Sequence, residues 1–324
     1  MSFEGPIQAV PDAEDGLEPA DDRTPPFQWP SSSPPSSANI AKAAVLCQTL
    51  DVNETSISIS PFNHSGWSAQ DCIKIDLASQ SFLVKIPRYP SPQSILLCNA
   101  EAVRASWAAS VGAGPSVVCR DESSGAFVMA FINGQTLTPD LALRNLPAIM
   151  ELLRKFHTST SHPWMNIYSP IATVEDYLCL ARDQATMTDD DTQLIEAVIA
   201  YVKASVGDTT STLAPCHNDF HCHNIIVDGT ARLWAIDLEN VDLGDPMWDL
   251  AYLSVNLEME PLGLAEVYGS MKEDRNRLGA YYLLAIAHCA TWSITHGQLW
   301  FQHYRELMVR LRKCWNNVSF DEMV

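Results

Sequence analysis

Residues 216–224, Cys-His-Asn-Asp-Phe-His-Cys-His-Asn, gather three histidines and two cysteines around one aspartate. Two chemistries fit that composition. Cys216, His217, His221, Cys222 and His223 are ligand types that zinc accepts, but they form neither an HExxH frame nor a CxxC pair. Alternatively, the working groups are Asp219 and Asn224, five residues apart: a carboxylate able to orient an attacking hydroxyl and a carboxamide able to hold a divalent cation. Thirteen residues beyond Asn224, Asp237 ends the short apolar run Leu-Trp-Ala-Ile-Asp and offers a further oxygen ligand.

A second cluster lies upstream. Ser-Phe-Leu-Val-Lys-Ile-Pro, residues 81–87, places Lys85 inside an otherwise apolar strand pattern, where an unpaired ammonium would be costly to bury. Glu101 is the sole acid in the helical pattern that follows and is the expected partner. A strand lysine held by a helix glutamate can touch the α- and β-phosphates of a nucleotide, which makes ATP with Mg²⁺ the expected cofactor.

These residues need a scaffold that brings distant segments together. Residues 1–38 combine acids with Pro/Ser-rich sequence, a composition too poor in apolar residues to offset ordering entropy, and read as a disordered tail. Residues 39–134 alternate apolar and polar positions in short runs around one helical pattern, as in a small antiparallel sheet with one helix. From 135 to 324 helical patterns dominate. Pro147 stands in a first-turn position, Thr173 begins a Thr-x-x-Asp capping box, and Gly297 interrupts a long aromatic-rich stretch. The fold class is α+β, with a sheet-rich first part and a larger, mainly helical second part.

Of the net charge of −19, residues 1–38 hold seven acids and one arginine, so the remainder keeps −13. Such a surface repels nucleic acid and anionic membranes and attracts cations. The nine cysteines lack any CxxC pairing and read as reduced thiols. With no signal-peptide pattern at the start and no long apolar run, the expected location is the cytoplasm.

Three ordered segments carry a family resemblance: His-Asn-Asp-Phe-His-Cys-His-Asn, then Ile-Asp-Leu-Glu, then Gly-Asp-Pro-Met-Trp-Asp-Leu-Ala. Together they resemble the aminoglycoside phosphotransferase and choline kinase superfamily, which shares the two-lobed protein-kinase-like fold, over about residues 45–318. The resemblance implies Asp219 as catalytic base and Asn224 and Asp237 as Mg²⁺ ligands. It implies Glu239 as a supporting or substrate-side carboxylate and Asp249 as a structural anchor of the loop. His217 would brace the loop and His221 would face substrate. The adenine contacts would be the carbonyl of Ala130 and the N–H of Ile132, with Gly66 in a phosphate loop unusually poor in glycine. His223 stands where the family usually has glycine.

His-Asn-Asp is nearer to choline, ethanolamine and thiamine kinase-like members, whereas antibiotic kinases more often show His-Gly-Asp. Trp292 falls where choline kinase-like proteins carry a substrate-side tryptophan, and an aromatic face attracts a quaternary ammonium. Two positions depart from that pattern: Cys289 replaces a second tryptophan, and Asn256 replaces a carboxylate. Only Leu238–Leu243 separate Asp237 from the Gly-Asp-Pro segment, where a protein kinase would need an activation segment, which leaves little room for peptide recognition. The expected partner is thus a small, cationic acceptor such as choline or ethanolamine. The alternatives are an antibiotic, a thiamine-like acceptor, or nucleotide binding without catalysis.

Overall fold

The protein is described by a computed structural model over residues 35–48, 58–62, 70–184, 186–207, 212–269 and 274–318. The first lobe opens with α1 (Ser37–Gln48), then β1 (Ser58–Pro61), β2 (Gln70–Asp76), β3 (Ser81–Pro87), α2 (Pro92–Ser110), β4 (Val117–Asp121) and β5 (Ala126–Ala130). The strands form one antiparallel sheet in the order β1-β2-β3-β5-β4.

Successive strand residues point to opposite faces. Phe82, Val84 and Ile86 of β3 join Ala126 and Val128 of β5 in a core cluster that also holds Ala43 of α1. Lys85 points the other way and pairs in register with Phe127, which belongs to the larger core shared with α2 and the second lobe. One face of the sheet is therefore sealed by α1, and the other presents Lys85 to the space between the lobes.

Helix α2 starts at a capping box in which Ser91 and Ser94 each accept the other's backbone N–H, at 3.1 and 2.8 Å. Its buried stripe is Cys98, Glu101, Ala102, Ala105 and Ala108. Small side chains let the helix sit close to the sheet, and Glu101 is buried as part of that stripe.

The second lobe contains β6 (Gly134–Thr136), α3 (Pro139–Arg144), α4 (Leu146–His157), α5 (Pro170–Asp183), α6 (Asp189–Val206), β7 (Ala214–Cys216), β8 (Ile225–Asp228), β9 (Leu233–Ala235) and β10 (Asp242–Gly244). It closes with α7 (Pro246–Asn256), α8 (Pro261–Tyr268), α9 (Asp274–Thr295) and α10 (Phe301–Trp315). Helix α9 is apolar around most of its circumference, as a helix enclosed on all sides must be, and packs against α5, α6, α7, α8 and α10. Two small sheets, β6-β8-β9 and β10-β7, lie beneath the first lobe and hold the loops that face it.

Three expectations change. Helix α1 begins at Ser37, inside the stretch read as a disordered tail, and it is a second helix in the first lobe, present because the outer sheet face needs cover. Residues 1–34 of that stretch lie outside the described residues. The cap of α5 is Ser169, which accepts the Ala172 N–H at 3.2 Å, while Thr173 lies within the helix; Pro170 in the first turn fixes the earlier start. Asp237 falls two residues past the end of β9, in a left-handed conformation. Among the described residues no helix is long and apolar enough to cross a membrane.

A buried ion pair helps tie α2 to the second lobe. The Arg104 guanidinium donates to Asp242 at 2.6 Å and to the Val241 carbonyl at 2.9 Å, with both side chains mostly buried. Arg104→Ala leaves the mostly buried Asp242 carboxylate with the Asn166 backbone N–H at 2.9 Å but no cation, and urea denaturation is expected to show a loss of about 3 kcal/mol.

Candidate active site

Residues 217–224 connect β7 to β8, and their shape is set from below. Asn218 has φ 63°, a left-handed conformation that asparagine tolerates better than most residues. The N–H groups of His217 and Asn218 donate to the two oxygens of Asp249, at 2.9 and 2.8 Å, and the Trp248 indole donates to the Asn218 carbonyl at 3.0 Å. Asp249 is fully buried and also accepts from His157 Nε2 at 3.0 Å, while His157 Nδ1 accepts from the Tyr268 hydroxyl at 2.8 Å. A buried carboxylate with three donors is a rigid anchor.

The His217 ring donates through Nε2 to the Ile236 carbonyl at 3.0 Å, tying this loop to the residue before Asp237. Burial pushes its imidazole pKa down, so the ring is neutral and keeps that single donor role. The Asn218 amide reaches Asn240 at 2.9 Å, a second link to the same neighbouring loop. Gly244 explains itself here: a Cβ at that position would stand 2.3 Å from Asn218 Oδ1.

On this frame Asp219 faces the lobes' interface with a quarter of its side chain accessible. Asn224 Nδ2 donates to the Asp219 carbonyl at 3.0 Å and to its carboxylate at 3.1 Å. Desolvation, followed by the charge of Asp237, pushes the Asp219 carboxyl up to about 8, against the opposing hydrogen bonds of Tyr252 and Asn224. Glu239 is likewise raised, by desolvation and then by Asp237 and Glu101, although solvent reaches much of its surface and moderates the effect.

Lys85 meets this group from above. Its ammonium bonds Glu101 and lies 3.6 Å from Asp237, while Gln70 of β2 donates to the other Glu101 oxygen. Burial alone would lower the Lys85 pKa; Glu101 and Asp237 reverse this and hold it well above the ordinary lysine range. Lys85, Glu101, Asp219, Asn224 and Asp237 therefore converge from β3, α2 and two loops of the second lobe.

The remaining expected residues are more scattered. His221 lies 3.9 Å from the Asp219 carboxylate and packs near Tyr252. Trp292 stands on α9 with its face stacked on His296 at 4.3 Å, and a succession of aromatic rings through Tyr177 and His288 runs from it to Tyr252. Ala130 ends β5, with its N–H committed to the Ser116 carbonyl at 2.8 Å, and no described residue accepts from the Ile132 N–H. Gly66 lies outside the described residues.

The zinc donor set does not assemble. Among the described residues the group spaced to share an ion is His157, Cys216 and Asp249, which draws one member from the 216–223 run, and Asp249 is already saturated with donors. Sequence reasoning missed Gln70 and His157; a polar residue opening an apolar strand and a histidine ending an amphipathic helix were their faint signals.

A model of the phosphotransferase enzyme family matches residues 58–282, which include every one of these converging groups. The chain belongs to the phosphotransferase enzyme family. Solved structures share the fold of this phosphotransferase. The choline kinase LicA from Streptococcus pneumoniae is 17% identical with TM-score 0.67, covering 84% of this chain and 99% of that one. A choline/ethanolamine kinase family protein from Mesorhizobium loti is 22% identical with TM-score 0.67, covering 88% and 97%. An aminoglycoside phosphotransferase from Streptomyces rimosus is 20% identical with TM-score 0.53, covering 75% and 97%. No curated protein sequence matches the chain.

Two outcomes test this description of the phosphotransferase. Gly244→Ala should displace Asn218 and with it Asp219, lowering turnover on the order of 100-fold while circular dichroism stays that of a folded protein. The second concerns pH. The folded Asp219 carboxyl titrates at about 8 and the unfolded one near 3.9, so between those values the folded state binds the extra proton and loses stability as pH rises. Asp219→Asn removes that burden, and its melting-temperature advantage over the parent without ligands should grow from pH 5 to about pH 8.

Proposed function

We propose that this phosphotransferase is an ATP- and Mg²⁺-dependent kinase acting on the hydroxyl of a small cationic amino alcohol such as choline or ethanolamine. The observation that carries the reading is the junction of Lys85, held between Glu101 and Asp237, with Asp219, held by Asn224. Lys85 is the group poised for the nucleotide phosphates, and Glu101 fixes its position. Ala130 and Ile132 at the end of β5 supply backbone groups for adenine, and the LicA protein has been solved with AMP.

The donor set fits a divalent cation. Asp237 and Asn224 offer hard oxygen ligands, and the Asp219 carboxyl, raised by desolvation and then by the charge of Asp237, would ionise more readily beside a cation. Bound there, Mg²⁺ would neutralise charge on the phosphates. Asp219 accepts the acceptor's hydroxyl proton as that oxygen attacks the γ-phosphorus, the bond to the bridging oxygen breaks, and ADP departs. Catalysis is then mainly positioning and charge stabilisation. Glu239 and His221, both near Asp219, are the polar groups assigned to the acceptor's side, with Trp292 farther along the same wall.

The net charge of −19 suits a cationic acceptor and disfavours nucleic acid. The cysteines among the described residues are free, in keeping with a reducing, cytoplasmic setting where ATP is supplied. An intact set of Lys85, Asp219, Asn224 and Asp237 argues against a purely nucleotide-binding role.

ADP release should be measured over choline, ethanolamine, thiamine and aminoglycosides. The expected result is turnover with an amino alcohol, abolished by EDTA, and reduced by a factor on the order of 10³ or more in Asp219→Asn with ATP binding retained. Turnover that survives in Asp219→Asn removes this residue from the mechanism.

A further inference from the structure

Between the catalytic carboxylate and Trp292 runs a succession of rings. His221 lies 3.9 Å from the Asp219 carboxylate and 6.1 Å from Tyr252 between centroids, His288 lies 5.3 Å from Tyr252 and 5.5 Å from Tyr177, and Tyr177 lies 6.1 Å from His296, which stacks on Trp292. Burial, and then the charges of Asp219 and Glu239, push the Tyr177 hydroxyl pKa up, which places this wall within electrostatic reach of those two carboxyls.

Its chemistry is unlike that of a cage for a quaternary ammonium. Such a cation needs open aromatic faces within about 6 Å and offers no hydrogen-bond donor. Trp292 has one face covered by His296, nearly parallel at 18°, and meets Trp300 edge-on at 4.8 Å. The position three residues before it is Cys289, which lies against Tyr252 and supplies no aromatic face. The wall instead contains a polar ring with nothing to bond. His288 is 8% exposed, and no described residue hydrogen-bonds either ring nitrogen. Nδ1 is wholly enclosed, which leaves Nε2 as the ring nitrogen open to a further partner. Burial, reinforced by His296, holds the imidazole pKa down at about 4, so at neutral pH the ring repels no cation and keeps a lone pair.

We propose that His288 determines acceptor specificity by taking a hydrogen bond from an N–H of the acceptor's ammonium, so that the enzyme selects amino alcohols with at least one N–H over those with a trimethylammonium head. This rests on the amino-alcohol kinase reading above. A trimethylammonium would leave the imidazole buried and unbonded, and a site built around a donor discriminates strongly against its absence.

The test is kcat/KM with saturating Mg²⁺-ATP for ethanolamine, N-methylethanolamine, N,N-dimethylethanolamine and choline. Steric exclusion lowers the value at each methyl. The hydrogen bond predicts one sharp step at the last methyl, where the final N–H disappears, of about tenfold or more. His288→Phe should flatten that step without changing KM for ATP, and His288→Gln, which keeps an acceptor atom, should retain it. If His288→Phe does not fold, loss of the step in His288→Gln overturns the proposal. So do choline as the best acceptor, or an unchanged step in His288→Phe. Absence of turnover with the whole series overturns the amino-alcohol reading itself and this inference with it.

Discussion

Four carboxylates and one ammonium meet where the two lobes face each other. Lys85 bonds Glu101 and stands 3.6 Å from Asp237, while Asp219 and Glu239 have their pKa values raised in the same space. Desolvation, and then the nearby charge of Asp237, makes ionising these two carboxyls costly, so without ligands they hold their protons to higher pH than free carboxyls do. In the proposed reaction a divalent cation arriving with the nucleotide phosphates would favour the ionised carboxyls, with Asp237 and Asn224 assigned to the cation and Asp219 to the hydroxyl proton.

Keeping such groups together requires a frame that does not relax. Asp249 holds the backbone of His217 and Asn218, His217 reaches across to Ile236, and Gly244 gives Asn218 the room that its left-handed conformation needs. Each of these contacts is buried and none touches the reacting atoms. In the upper lobe Gln70 and the small-residue stripe of α2 do the same for Glu101. Arg104 then locks α2 to β10, so the lysine and the aspartates share one rigid reference.

Much of this was legible in the sequence where a single residue broke a pattern. Lys85 stood out because strand alternation put an ammonium among apolar neighbours, and Glu101 because its helix had no other acid. Asp219, Asn224 and Asp237 were readable from spacing. What could not be read depends on contacts between distant segments. Helix α1 has weak amphipathicity and is explained only by the sheet face it covers. The three-residue strands β7 and β10 exist through each other's pairing, and the role of Gly244 appears only when Asn218 is seen beside it. The ring succession through Tyr177 and His288 joins α5, α7 and α9, three helices whose sequence patterns say only that they are buried.

Calorimetric titration with ADP in the presence and absence of Mg²⁺ tests most directly whether the cleft holds phosphates through a divalent cation. Binding should be tight with the metal and weaker on the order of 100-fold without it, because Asp237 and Asn224 then have no cation through which to hold the phosphates. Equal affinities under the two conditions would contradict the central claim.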